Sequence, residues 1–124
     1  MPVVVGVAIG GALGASGRWL VDRLIEQHTD SLFPWATFVI NVSGCFAIGV
    51  VVETLVDRHH LPAWIRVGIV VGVLGGYTTF STFAQETFSL LESSDVAVAL
   101  AYTTASVVTG VLAVYGGTLL GRAL

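Results

Sequence analysis

Gly72-Val73-Leu74-Gly75-Gly76-Tyr77-Thr78-Thr79-Phe80-Ser81-Thr82-Phe83 lies inside an apolar run that extends from about Leu61 to Leu91, longer than one simple membrane crossing. Adjacent glycines followed by two threonines lower helix propensity at mid-run. Irregular backbone at membrane depth survives only where protein or a polar cavity satisfies its N–H and C=O groups, and broken helices commonly line ion sites. The stretch therefore predicts a membrane helix with a break near residues 75–79.

A spanning helix needs about 20 mostly apolar residues, because ~30 Å of hydrocarbon is crossed at ~1.5 Å per residue. Three other segments meet that requirement: Val3 to Val21, Phe33 to Val52, and Val96 to Leu120. The charges fall between them, in Asp22 to Ser31, Glu53 to His60 and Glu92 to Asp95. The pattern predicts one all-α integral membrane domain of four transmembrane helices. Gly6, Gly10 and Gly14 in the first span and Gly68, Gly72 and Gly76 in the third recur every four residues. Each row offers a smooth groove that lets a neighbouring helix approach closely.

Of 124 residues, 55% are hydrophobic and 10% charged, and the mean hydropathy is +0.89. These values lie far outside the soluble range. The chain has no lysine and five scattered arginines, so no basic stripe exists to follow a phosphate backbone and nucleic acid is excluded as a partner. Cys45, the single cysteine, sits in an apolar run and reads as a small buried hydrophobe. The N-terminal run lacks a charged leader and a small-residue cleavage site, so it reads as the first span rather than a removable signal. Nucleotide-binding loops, zinc-spaced ligand sets and nucleophile–base pairs are missing, which argues against an enzyme. His59 and His60 are adjacent rather than helically spaced and read as a solvated loop.

Asn41 lies near the middle of the second span, where an amide needs partners. It is either an interhelical hydrogen-bonding residue or a donor to a pathway. The glycosylation sequon Asn41-Val42-Ser43 is a coincidence of membrane burial. Phe80 and Phe83 share one helical face, and their positive ring edges can favour a small anion without a fixed cation. Ser81 and Thr82 add hydroxyl donors. Glu86 follows one turn later, at the mouth of such a pathway. Tyr102, Ser106 and Gly110 form a strip at four-residue spacing on the fourth span, flanked by Thr103 and Thr109. Arg18 continues the Gly6–Gly14 face towards the end of its span, as a snorkelling anchor or as a vestibule charge that concentrates anions.

Three motifs carry a resemblance. Gly10-Gly11-Ala12-Leu13-Gly14-Ala15-Ser16-Gly17-Arg18, then Asn41-Val42-Ser43-Gly44 with Phe46 and Gly49, then Gly75-Gly76-Tyr77-Thr78-Thr79-Phe80-Ser81-Thr82-Phe83 resemble the signatures of the Fluc, or CrcB-like, fluoride channels, over essentially the whole chain. The resemblance implies a plasma (inner) membrane, multi-pass, dual-topology homodimer of antiparallel subunits. Two pores would each conduct fluoride passively out of the cytoplasm. It implies further that Phe80 and Phe83 line the path edge-on, that Asn41, Ser81 and Thr82 donate hydrogen bonds, and that Tyr102 and Ser106 continue the track. Carbonyls of Gly75 and Thr78 would hold a structural Na⁺ on the dimer axis.

The arginine distribution sets Arg58, Arg66 and Arg122 on one side against Arg23 and Arg18 on the other. So weak a bias fits dual insertion of one chain, and equally one half of a pair of oppositely oriented paralogues. Two other classes compete with the channel. A small dual-topology proton-coupled multidrug exporter needs an acid in mid-membrane of its first span, where this chain has none. A non-conducting scaffold explains the glycine grooves but leaves Asn41 and the Thr-Ser cluster without a purpose.

Overall fold

The computed structural model describes residues 1–56 and 59–124; Arg58, counted above for topology, lies outside them. Each of the chain's prolines stands immediately before a helix: Pro2 before α1 (Val3–Glu26), Pro34 before α2 (Trp35–Val56) and Pro62 before α3 (residues 63–77). The missing proline N–H is one that a helix start leaves unpaired in any case. Each proline carbonyl accepts a bond from the first turn, at 3.1 Å from Val5, 3.1 Å from Phe38 and 3.2 Å from Arg66. Two further helices follow, α4 (Phe80–Glu92) and α5 (Val96–Ala123). The connection between them is closed by Ser94, at φ 64°, with Asp95 N–H donating to Leu90 O at 2.9 Å and Ser94 N–H to Leu91 O at 3.1 Å. That is a Schellman closure built on a serine.

Among the described residues, four helical segments, Val3–Glu26, Trp35–Val56, Ala63–Glu92 and Val96–Ala123, are long and apolar enough to cross a membrane. Their limits differ in detail from the hydropathy reading. α1 runs on past Val21 through Asp22 and Arg23, where Arg23 and Glu26 approach at 4.0 Å on an exposed turn. α2 starts at Trp35 rather than Phe33 and continues through Glu53 as a π turn, Val52–Val56. Hydropathy marks where apolar residues stop, whereas a helix stops where its backbone finds another partner.

Backbone contact through glycine organises the bundle into two pairs. A Cβ on Gly6, Gly10 or Gly14 would strike the carbonyl of Trp64, Gly68 or Val73, so α1 and α3 run parallel at close range. A Cβ on Gly49 would strike the Val114 carbonyl and one on Gly117 that of Phe46, while Gly110 lies by Cys45 and Gly121 by Glu53, so α2 and α5 also run parallel. Glu53 and Arg122 close the end of that second pair at 3.4 Å. Within α3, Gly68–Leu74 is wound as a π-helix. Four α-helical residues overshoot a full turn by about 40°. The wider π turn reduces that drift and keeps Gly68 and Gly72, both buried, facing α1.

Candidate functional site

Between α3 and α4 the backbone is extended at two residues, Thr78 (φ -78°, ψ 160°) and Thr79 (φ -149°, ψ 121°), while Gly75 and Gly76 remain helical. Two mechanisms secure this interruption. The Thr79 side chain caps α4, its Oγ1 accepting from Thr82 N–H at 3.2 Å and donating to Thr82 Oγ1 at 3.0 Å. From α2, Asn41 bonds both sides of the same residue: Nδ2 donates to Thr79 O at 2.9 Å and Oδ1 accepts from Thr79 N–H at 2.8 Å. Backbone groups that a helix would have paired are thus satisfied by a side chain. The Asn41 amide has a second N–H beyond this pair, and the residue lines a cavity of about 310 Å³ with Gly75, Thr78 and Phe80. Cys45, half-buried, lies on its wall.

Phe80 is 79% exposed, and its ring centroid is 5.7 Å from that of half-buried Phe83 at an interplanar angle of 51°. Phe83 in turn meets Tyr102 edge-on at 5.1 Å. Ser81 and Thr82 are exposed within the single chain. Arg18, half-buried on α1, has no hydrogen-bond or ion-pair partner among the described residues and lines a cavity of about 350 Å³ with Thr37, Thr79 and Thr82. Asp22 borders the same cavity one turn on.

Glu86 is a junction of three helices. Its Oε1 accepts from Thr37 Oγ1 at 2.7 Å and its Oε2 from the Tyr102 hydroxyl at 2.6 Å, lengths typical of O–H donors on a carboxylate. Thr37 and Tyr102 are buried, at 1% and 0% exposure. The Tyr102 hydroxyl is thus engaged by the Glu86 carboxylate. Ser106, next on that strip, keeps a buried Oγ with no hydrogen-bond partner, while Thr103 Oγ1 returns to its own backbone at Ala99 O, 2.9 Å. Sequence reasoning singled out neither Thr37 nor Thr79. Thr37 stands four residues before Asn41, hence on the same face of α2, and that spacing is the signal that could have found it.

The arrangement is a line of neutral donors and ring edges flanked by one guanidinium and one carboxylate, suited to replacing the water of a small ion. No hydrogen-bonded nucleophile–base–orienter set accompanies it among the described residues.

The family model described as CrcB-like protein, Camphor Resistance (CrcB), matches residues 5–118. A protein named fluoride-specific ion channel FluC from Flavobacterium psychrophilum is 34% identical over 124 residues, covering 100% of both chains. Another of that name from Aquifex aeolicus is 39% identical over 124 residues, again 100% of both. A third, from Acidobacterium capsulatum, is 43% identical over 118 residues, 94% of this chain and 93% of its own.

Proposed function

This chain belongs to the CrcB-like family, and from that premise we propose that it is a fluoride-selective passive ion channel that exports cytoplasmic fluoride through two pores formed by an antiparallel homodimer. Its relatives across the full length are named as fluoride channels and not as enzymes. The observation that carries the reading in the molecule itself is the buried, unpartnered Ser106 hydroxyl one turn beyond Tyr102. A lone buried donor demands a partner, and an anion passing between Phe83 and Ser106 supplies one.

Fluoride is small and holds its water tightly, so a path for it must substitute dense donors for hydration, and narrowness excludes chloride. Phe80 and Phe83 offer ring edges, and Asn41, Ser81 and Thr82 offer N–H and O–H groups along the path. Glu86 marks its mouth. An anion reaching Glu86 competes with the carboxylate for the protons of Thr37 and Tyr102, so occupancy there requires the carboxylate to yield at least one of them. Arg18, in a cavity shared with threonines and Asp22, raises the local anion concentration in the vestibule.

Exposure of Phe80 and the open cavity beside Asn41 support a second copy closing over this face. Gly75 and Thr78 border that cavity together, a Cβ on Gly75 would meet only the Val70 carbonyl, at 3.8 Å, and Thr78 departs from helical geometry. Neutral carbonyls of this kind suit Na⁺. Two copies related by a twofold axis would contribute Gly75 and Thr78 twice, enough to hold a structural ion at mid-membrane where the third span is broken. The arginine balance supports dual topology in the plasma membrane, with a paralogous partner as the alternative to a second identical copy.

The test is fluoride efflux from liposomes containing the purified chain, followed with a fluoride electrode beside a chloride control. Fluoride release without chloride release supports the channel. Silence from well-folded protein overturns it in favour of a scaffold or a required paralogue, and equal release by the Phe80→Ile and Phe83→Ile variants overturns the assignment of those rings to the path. Proton-driven drug export has no acid within the apolar part of α1 to carry it; Asp22 and Glu26 lie in its last turns.

A further inference from the structure

Phe33 belongs to no membrane helix, yet it enters the aromatic core. It sits in the connection between α1 and α2, immediately before Pro34, where the chain is confined to extended backbone. Local bonds hold it there: its N–H donates to Ser31 Oγ at 3.2 Å and its carbonyl accepts from Trp35 N–H at 2.8 Å. From this fixed point its ring meets Tyr102 edge-on at 5.3 Å and 77°. Phe83 meets Tyr102 at 5.1 Å and 61°. The fully buried tyrosine ring thus contacts one phenylalanine from the pathway and another from a surface connection.

Behind Phe33 the packing is continued by Phe38, at 5.5 Å and 74°, and by Trp35, at 4.5 Å. A cavity of about 250 Å³ is bordered by Phe33, Pro34, Trp35, Glu26, Asp30 and Glu86. Phe33 thus stands between this cavity and the ring whose hydroxyl holds Glu86 Oε2.

We propose that Phe33 is a positioning residue for conduction: it fixes the Tyr102 ring, and through it the hydroxyl that Glu86 and a passing anion share, so that the α1–α2 connection sets the fluoride rate. This rests on the channel reading above. Phe33 touches no ion. Without its ring, Tyr102 has space on one side and the 2.6 Å contact to Glu86 loosens.

The experiment is fluoride efflux from liposomes by the full chain and its Phe33→Leu, Phe33→Tyr, Tyr102→Phe and Phe33→Leu/Tyr102→Phe variants, each first checked for monodispersity in detergent. Phe33→Leu is expected to slow efflux roughly tenfold, within the range for residues acting through packed contacts. Phe33→Tyr, which keeps the ring, restores efflux to within about twofold. In the Tyr102→Phe background, Phe33→Leu has no further effect, since the hydroxyl it positions is gone. A role confined to packing against the ring predicts instead that Phe33→Leu slows efflux by the same factor in the Tyr102→Phe background, where the ring remains and only the hydroxyl is gone. Additive losses, or a well-folded Phe33→Leu protein at the unsubstituted rate, overturn the proposal. If Phe33→Leu is not monodisperse, Phe33→Met is read by the same criteria. An unsubstituted chain that releases no fluoride refutes the channel itself, which is a separate outcome.

Discussion

The Asn41 side chain grips the Thr79 peptide unit from both sides, donating at 2.9 Å and accepting at 2.8 Å, although 38 positions separate the two residues. The bond joins α2 to the one place where the third apolar segment is not helical, so replacing the amide exposes both backbone groups at once. Asn41→Leu is expected to lower unfolding stability in detergent by about 1–3 kcal/mol for each orphaned group. Asn41→Asp, which keeps the acceptor but sets a carboxylate oxygen against the Thr79 carbonyl at membrane depth, should lose at least as much. Equal thermal midpoints for Asn41→Leu and the unsubstituted protein would show that the grip contributes nothing.

Ser106 makes the opposite prediction for stability. Its buried hydroxyl has no partner, so Ser106→Ala removes an unsatisfied group and should leave the protein as stable or stabilise it by about 1 kcal/mol. Fluoride efflux should nevertheless fall. A variant that is more stable and equally fast would detach Ser106 from the pathway.

Phe80 separates conduction from folding in another way. Being 79% exposed within the chain, it contributes little to the packing of one subunit, so Phe80→Ile should leave the helical circular-dichroism signal intact while fluoride efflux is lost. Phe83→Ile also removes the edge contact to Tyr102 at 5.1 Å and should reduce both stability and flux. Identical behaviour of the two variants would contradict this division.

Glycines divide by what lies opposite them. A methyl group on Gly10 or Gly117 would meet the backbone carbonyl of Gly68 or Phe46, neither of which can rotate away. Gly10→Ala and Gly117→Ala should abolish recovery of folded protein. At Gly17 an added methyl would have no neighbour within 4 Å, and Gly17→Ala should be neutral or stabilising by up to ~1 kcal/mol. Expression and size-exclusion profiles of the three variants test the contrast.

The four apolar segments and the glycine rows of α1 and α3 were legible because each rests on a period within one stretch of chain. So was the family, through three motifs in order. The contacts made by Glu86 were not legible. Its partners Thr37 and Tyr102 lie 49 and 16 positions away, and no local pattern encodes which rotamer of a carboxylate reaches two helices at once. The Gly49 and Gly117 contact of α2 with α5 was overlooked for a related reason: a lone glycine acquires meaning only from the backbone that crosses it. Asn41 admitted two readings from sequence, and its bonds to Thr79 show the interhelical role while leaving one amide proton for the other.

The two extended residues at 78–79 also alter how far the third segment reaches. Ala63–Glu92 contains 30 residues, and at ~1.5 Å per helical residue it measures about 45 Å, with about 3.3 Å for each extended residue adding to that. Only ~30 Å of hydrocarbon is available. If α3 enters near Trp64, the hydrocarbon ends about 18 residues later, near Thr82 and Phe83. Glu86 then lies at the water boundary of its own subunit, and the remainder of α4, with Ser89 and Glu92, stands outside as a polar collar. Depth alone places the one carboxylate of this segment's donor line where hydration can be exchanged.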